Sequence, residues 1–282
     1  MKYRLASILL PTLFILGGCA AISSTPPAGN GANVEQTANQ QALTPNDLEQ
    51  YEISLSAYVN DQGLVNYEGL QGDRAALDQF NASLNEVLPS TYEGWSESEK
   101  IAFLINAYNS FTLSSIVDQT PLKSSIRDIP GVWRIRKHSI MGDFKTLDHI
   151  EHGILRKDFN EPRIHAALVC GAFSCPPLRN EPFTGESLDA QLDDQVTQWL
   201  TGEHGIKIDR ENKTVFISSI FDWFGEDWEA SYSTTEGFAG SDTQKAVLNF
   251  ITNYVSEEDA TYLREGDYRV KYLDYDWSLN KQ

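Results

Sequence analysis

The segment KIAFLINAYNSFTL, residues 100–113, is apolar on most of its circumference when it is drawn as a helix. The four residues before it, Ser96-Glu97-Ser98-Glu99, have the form of a capping box, with Ser96 as the cap and Glu99 three residues further on. A helix that is apolar on all sides is usually buried. The segment therefore predicts a central, buried helix with a well-defined start.

Two amides, Asn106 and Asn109, lie on neighbouring turns of one face of this predicted helix. A buried amide without partners costs about 1–3 kcal/mol, so we expect both to be hydrogen-bonded. In the simpler interpretation they fix the backbone of a loop. In the functional interpretation, Asn106 orients an imidazole or an oxyanion at an acyl-transfer site and Asn109 lies beside the substrate.

The chain begins with the pattern of a secretory signal: basic residues, an apolar stretch, and then Leu16-Gly17-Gly18-Cys19, which resembles the bacterial lipobox. We therefore predict a signal peptide over residues 1–18 and lipidation of Cys19. Ser, Thr, Pro, Gly, Asn and Gln dominate the next residues, so 19–42 are predicted to be the lipidated cysteine and a flexible tether. Residues 43–282 show no second linker and no internal repeat, which indicates a single globular domain.

Charge and the leader together limit the partners that we expect. Ala20 and Ala21 follow the cysteine instead of the aspartate that often retains lipoproteins in the inner membrane, so we expect an outer-membrane anchor facing the periplasm. The chain has 22 basic and 40 acidic residues, a formal net charge of −18. This charge argues against binding to nucleic acid and against docking on anionic lipid, so membrane contact is expected through the lipid anchor only. No cofactor and no particular protein partner are indicated.

The segment TLDHIEHGILR, residues 146–156, has a helical apolar stripe with Glu151 near its centre. A carboxylate directed at the core must be paired or have its pKa raised. Arg163 and Arg179 are the expected partners. The pattern therefore predicts a buried carboxylate beside His152, which lies on another face of the helix.

His149 and His152 are three residues apart and so are placed to share a metal ion. The order H-x-E-H is one residue short of the H-x-x-E-H zincin form, and a third ligand would have to come from Cys170 or elsewhere. A metallohydrolase at these histidines is an alternative, although we assign no metal ligand.

Residues 163–170 alternate in the manner of a strand. In an unbroken strand His165 and Cys170 would be roughly 16 Å apart and on opposite faces, which makes them a poor catalytic pair. Gly171 permits a turn and leaves Cys170 at the end of the predicted strand. A thiol there needs an imidazole from elsewhere in the chain, and His152 is the expected donor.

Cys175 leaves three interpretations open. A Cys170–Cys175 disulfide is compatible with four intervening residues that include a glycine, and the periplasm is oxidising. Alternatively one of the two thiols is catalytic, or both are buried free thiols. Under the disulfide interpretation neither sulfur is a nucleophile at rest.

Several blocks of the sequence resemble the bacterial family known as domain of unknown function 547. They are Asn106-Ala-Tyr-Asn109, the run 150–156, RIHAALVCGAFSCPPLR at 163–179, Phe221-Asp-Trp-Phe224 and the ending YLDYDWSLN. The resemblance spans about Tyr58 to Asn280 and implies no settled activity. Related plant proteins keep a cysteine matching Cys170 but often have Ser or Asp at Cys175. The resemblance thus favours Cys170 as the functional cysteine, and the shared Ile-Glu-His element favours His152 over His165.

Early helices and short strand candidates at 206–208, 214–218 and 268–273 predict an α+β fold, with helices packed on a mainly antiparallel sheet. A papain-like or transglutaminase-like core would combine a sheet, a packed helix and a thiol in this way. However, the predicted central helix carries Asn106 where such folds usually have the cysteine. The aromatic run 221–228 is explained most simply as core and lid packing.

These patterns predict a thiol-dependent hydrolase or acyl transferase of the bacterial envelope, acting on an amide, thioester or small peptide-like substrate. Cys170 is the predicted nucleophile and His152 the base, with Glu151 and Asn106 in supporting roles. Arg156, Arg179, Cys175 and Asn109 are the predicted substrate-binding residues. The alternative function is that of a non-catalytic periplasmic binding lipoprotein, in which the Cys170–Cys175 disulfide is structural.

Overall fold

A computed structural model describes residues 45–282, and over this range the fold is α+β as expected. The helices are α1 (Pro45–Tyr58), α2 (Tyr67–Gly72), α3 (Ala75–Glu86), α4 (Pro89–Glu93), α5 (Glu97–Val117), α6 (Arg156–Asp158), α7 (Ile164–Ala167), α8 (Leu188–Thr201), α9 (Ile220–Phe224), α10 (Glu229–Tyr232), α11 (Asp242–Ile251) and α12 (Glu257–Glu265). The strands are β1 (His138–Ile140), β2 (Asp143–Lys145), β3 (Ile206–Asp209), β4 (Thr214–Ile217) and β5 (Arg269–Tyr272). The predicted signal peptide (1–18) and the lipidated Cys19 with its tether (19–42) lie outside the described residues.

Helix α5 is the buried centre predicted from the sequence. The Ser96 hydroxyl accepts a hydrogen bond from the Glu99 N–H, and the Glu99 carboxylate accepts one from the Ser96 N–H at 2.8 Å, so the capping box is confirmed. Every residue from Ile101 to Val117 is buried. Although α5 has 21 residues, no helix within residues 45–282 is both long and apolar enough to cross a membrane.

The core has two parts. The larger part surrounds α5 and includes buried residues of α1 and α3, where Tyr51 and Phe80 stack with ring centroids 4.4 Å apart. The smaller part lies on the three-stranded sheet and includes Trp199, Phe221 and Trp228. In this sheet β3 pairs with β4 antiparallel and β4 pairs with β5 parallel, which confirms the three strand candidates. The papain-like core is not confirmed.

The strand predicted over residues 163–170 is wrong. Ile164–Ala167 forms the one-turn helix α7, and the chain then extends to Cys170 without joining a sheet. The physical reason lies in α5, where the Asn109 amide donates to the Ala167 carbonyl and accepts from the Val169 N–H, both at 2.9 Å. These bonds take backbone groups that a strand would offer to a neighbour. Gly171 makes the expected turn with a φ of 83°.

A π-helical segment, His149–Leu155, replaces the α-helix predicted over residues 146–156. Wider π turns are rare and are often found at functional sites. Ile150, Glu151 and Leu155 are its buried residues, so the inward direction predicted for Glu151 is confirmed.

The last ten residues are fixed by hydrogen bonds to residues far away in the sequence. The Phe173 N–H donates to the Ser278 carbonyl at 2.7 Å, and the Ser125 hydroxyl donates to the Trp277 carbonyl at 2.6 Å. The Asp276 N–H donates to the Ser174 hydroxyl at 2.8 Å. These bonds place the Tyr275 and Trp277 side chains beside the segment that carries the two cysteines.

Candidate active site

A cavity of about 510 Å³ brings together residues from distant parts of the chain. Its lining comes from the π-helical segment, from residues 165–175, from α9 and from the C-terminal segment. Four of the predicted site residues line it: Glu151, His152, Cys170 and Cys175. His165, which the strand prediction had set apart from Cys170, lines it as well.

His165 lines this cavity and pairs with Asp227, a half-buried carboxylate that does not itself line it. His165 is 3% exposed, and its Nε2 lies 2.7 Å from the Asp227 Oδ2. Arg156 binds the same carboxylate with two nitrogens, at 2.6 Å and 2.8 Å. An ionised carboxylate only accepts, so the proton of this imidazole lies on Nε2 and the lone pair lies on Nδ1. No group among residues 45–282 forms a hydrogen bond with that Nδ1.

The Asp227 carboxyl is held in its ionised form. Burial by itself would raise its pKa, but the hydrogen bonds from Arg156 and His165 outweigh burial and hold the pKa well below its usual range. At neutral pH the carboxylate therefore orients the His165 ring and fixes its tautomer.

His152, the predicted base, is differently arranged. Arg156 Nη1 lies 2.8 Å from His152 Nδ1. A guanidinium can only donate, so this imidazole uses its Nδ1 lone pair on the arginine and carries its proton on Nε2. Phe224 lies between the two histidine rings and stacks on both, with centroids 4.5 Å from His165 and 5.9 Å from His152. His165 is thus the imidazole with a free lone pair.

Cys170 and Cys175 form a disulfide, with Cα atoms 6.5 Å apart. The Tyr275 hydroxyl lies 3.5 Å from the Cys170 Sγ and 3.2 Å from the Cys175 Sγ. Burial and the nearby Glu151 raise the pKa of Tyr275, so its hydroxyl stays protonated at neutral pH and can donate. Of the open interpretations of the cysteine pair, the structure contains the disulfide, and Tyr275 covers both sulfurs.

Glu151 is 9% exposed and lies against the Tyr108 hydroxyl. Burial first, and then the charge and hydrogen bond of Glu151, raise the pKa of Tyr108 well above its usual value. The predicted arginine partners of Glu151 are wrong. Arg163 instead pairs with Glu161, Asp189 and Asp193, and Arg179 pairs with Glu181 and Asp194.

Both amides of α5 are hydrogen-bonded to the backbone of other segments, as expected for buried amides. The Asn106 amide donates to the Phe183 carbonyl at 2.7 Å and accepts from the Phe183 N–H at 2.9 Å, away from the 510 Å³ cavity. Its polar groups are thus used on loop backbone, as in the simpler interpretation of the two amides. Asn109 holds the backbone at Ala167 and Val169, so it positions the cysteine segment, and its side chain does not line the 510 Å³ cavity.

The two predicted substrate-binding arginines do not line the cavity. Arg156 lies behind Phe224, with its guanidinium 5.0 Å from the ring centroid, and is occupied by carboxylates. Arg179 lies away from the cavity in its own ion pairs. For the metal alternative, residues 45–282 contain no group of three or more His, Cys, Asp or Glu side chains arranged to hold an ion.

Comparison with known proteins bears on the middle of the chain. Residues 92–200 match the family described as "Protein of unknown function, DUF547". This DUF547 match supports the resemblance seen in the sequence and assigns no activity. Neither the curated proteins nor the solved structures give a significant match. The DUF547 region supplies Glu151, His165 and both cysteines, whereas Asp227 and Tyr275 come from the chain that follows it.

Sequence reasoning missed three residues of the site. His165 was set aside because the predicted strand separated it from Cys170. Asp227 lies within the aromatic run 221–228, for which the sequence predicts only packing, and Tyr275 occurs only within the block YLDYDWSLN of the family resemblance. The sequence signal for Asp227 was its place in the aromatic run 221–228, where Phe221 and Trp228 are buried and so carry the intervening carboxylate inward.

Proposed function

We propose that this protein is a thiol-dependent hydrolase or acyl transferase in which Cys170, once reduced, is the nucleophile. The observation that carries the proposal is that His165, hydrogen-bonded to Asp227, lines the same cavity as Cys170. A nucleophile, a base and a carboxylate that orients the base make up the arrangement used in acyl transfer on several unrelated folds. His165 takes the role of general base, which the sequence analysis assigned to His152.

The chemistry begins with a thiol reductant that opens the Cys170–Cys175 disulfide. The Cys170 thiol then gives its proton to His165 Nδ1, and the thiolate attacks the acyl carbon of the substrate. The tetrahedral intermediate collapses, and the leaving group takes the proton from His165. A thioester on Cys170 remains, and water or another acceptor attacks it with His165 again as the base.

Tyr275 suits the charge that develops in this reaction. Its hydroxyl is protonated at neutral pH and lies beside both sulfurs. A fixed donor in a partly dry cavity stabilises a thiolate or an oxyanion more than water does. Tyr275 is therefore the proposed oxyanion donor, in place of Asn106.

The alkylation rate of Cys170 tests the proposal. Cys19→Ser and Cys175→Ser together leave Cys170 as the only thiol, and iodoacetamide labelling is followed from pH 5 to pH 9. Because a nearby imidazole lowers the pKa of a thiol, His165→Gln is expected to slow labelling at pH 6 by about tenfold or more. Glutamine retains an N–H for Asp227, and a thermal unfolding curve verifies that the variant is folded.

His152→Gln is the matched control and is expected to leave the labelling profile unchanged. If His152→Gln slows labelling and His165→Gln does not, the base is His152, and the assignment of His165 as the base is wrong. If Cys170 reacts like a free model thiol in the parent and in both variants, the thiol mechanism is rejected.

A second candidate is a non-catalytic binding protein, and the disulfide itself favours it. In this case Cys170 and Cys175 only stiffen the cavity wall. The oxidising periplasm expected from the leader would keep the bond closed.

The second candidate predicts a disulfide that matters for stability alone. In the Cys19→Ser protein, intact mass without reductant should be about two daltons lower than with reductant. Reduction should lower the free energy of unfolding by about 2 kcal/mol, the value expected for so short a loop, and leave ligand binding unchanged. Appearance of hydrolase activity only after reduction would contradict this candidate and support the first.

A further inference from the structure

Glu151 is the charged group of the cavity that has no partner of opposite charge. Among residues 45–282, no lysine, arginine or histidine forms an ion pair with its carboxylate. The other acid of the lining, Asp148, lies 3.1 Å from Arg134 at the rim. Asp227 is neutralised by Arg156 in the wall behind. Glu151 is therefore the acidic side chain of the lining that no cation among the described residues balances.

The wall beside Glu151 is built of aromatic rings. Trp223 stacks on Trp277 with centroids 5.5 Å apart, and Tyr275 contacts both rings at 4.7 Å and 4.6 Å. Trp133 and Phe224 extend this wall on either side. All five rings line the cavity. The face of an aromatic ring is the negative end of its quadrupole and attracts cations.

We propose that this cavity binds a small organic cation, namely a ligand with an alkylated ammonium group, between Glu151 and the ring wall formed by Trp133, Trp223, Phe224, Tyr275 and Trp277. The inference rests on the proposed function only in that it names the substrate class for the same cavity. It identifies the substrate as an acyl compound that carries such a group.

An alkylated ammonium fits the wall better than a primary amine or a guanidinium. A primary ammonium has three N–H donors to satisfy. Phe224 is covered by the two histidine rings, and Trp223 and Trp277 cover one face of each other, so the wall presents ring carbon with few acceptors. The nearby acceptors are the Glu151 carboxylate and tyrosine hydroxyls. Methylated ammonium groups have no such demand and are bound by rings and one carboxylate.

The volume of the cavity and the net charge of the chain both agree with this ligand class. A cavity of about 510 Å³ leaves room for a body beyond the ammonium group, since small-molecule sites span about 300–1,000 Å³. The net charge of −18 attracts cations toward the protein and repels anionic ligands.

Binding of choline and of its neutral isostere 3,3-dimethylbutan-1-ol tests the proposal. The full chain with its disulfide intact is titrated by calorimetry, and tryptophan fluorescence reports on the wall. Choline is expected to bind about tenfold more tightly or better than the isostere, since the two have the same shape and only choline has the charge. Glu151→Gln should remove this preference and leave binding of the isostere unchanged.

Glu186→Gln is the matched control, because Glu186 is an exposed carboxylate outside the cavity and the net charge changes equally. It is expected to bind choline as the parent does. Equal affinity for the two ligands, no saturable binding of choline at millimolar concentration, or the same loss in both variants would overturn the proposal. Because this titration needs no free thiol, its outcome is independent of whether Cys170 is a nucleophile.

Discussion

Replacing Asp227 with asparagine is expected to lower the free energy of unfolding at pH 7 by about 2–4 kcal/mol, because it leaves a partly buried guanidinium without its charged partner. Asparagine keeps one acceptor oxygen and replaces the other with a donor NH2 group, so Arg156 and His165 would compete for a single uncharged acceptor. Urea unfolding of the variant and the parent measures the difference. The same substitution should slow alkylation of reduced Cys170, since the His165 tautomer is then no longer fixed.

The pH dependence of this loss has a definite sign. The folded-state pKa of Asp227 is held below the value of about 3.9 expected in the unfolded chain. The stabilisation is therefore fully present above the unfolded pKa and is lost as the pH falls toward the folded pKa. The gap between the parent and Asp227→Asn should shrink by about 1 kcal/mol between pH 5 and pH 3.

Glu226→Gln is the control for Asp227→Asn, because Glu226 binds the same arginine at 3.0 Å but has a side chain that is 74% exposed. An exposed pair of this kind contributes about 0–1 kcal/mol. If the two substitutions cost the same, or if the gap at Asp227 widens in acid, the carboxylate does not act as described.

Replacing Asn109 with alanine is expected to cost about 2–4 kcal/mol, since it leaves a buried carbonyl and a buried N–H without partners. Those two groups belong to Ala167 and Val169, just before Cys170. Hydrogen exchange at the Val169 amide should therefore become faster than global unfolding alone explains. The segment that presents Cys170 to the cavity loses its attachment to α5.

Asn106→Ala provides the comparison on the same helix. Asn106 also makes two buried backbone hydrogen bonds, to Phe183, so a similar loss of stability is expected. Exchange should then become faster at Phe183 and stay slow at Val169. If both variants perturb Val169 equally, Asn109 has no special part in holding the cysteine segment.

Local patterns in the sequence were sufficient for several elements. The capping box at Ser96 and the apolar circumference of residues 100–113 predicted α5, because both signals are complete within one turn or one helix. The strand candidates at 206–208, 214–218 and 268–273 likewise correspond to β3, β4 and β5. The inward direction of Glu151 followed from its place in an apolar stripe.

The segment 163–170 shows where local patterns fail. Its alternation is that of a strand, but a run of this length forms a strand only if a neighbour accepts its backbone groups. Asn109 of α5, about sixty residues earlier, takes two of those groups instead. The resulting turn of helix brings His165 to the cavity that Cys170 lines.

The sequence by itself determined the buried central helix, the strands of the small sheet and the inward direction of Glu151, because each of these depends on neighbours along the chain. It also predicted Cys170 as a functional cysteine, through the family resemblance. Only the tertiary structure decided that His165 meets Asp227, 62 residues later, and that Tyr275 reaches both sulfurs from about a hundred residues away. The physical reason is that these contacts arise when separately formed elements pack and satisfy one another's buried polar groups, and no periodicity within one segment encodes that choice.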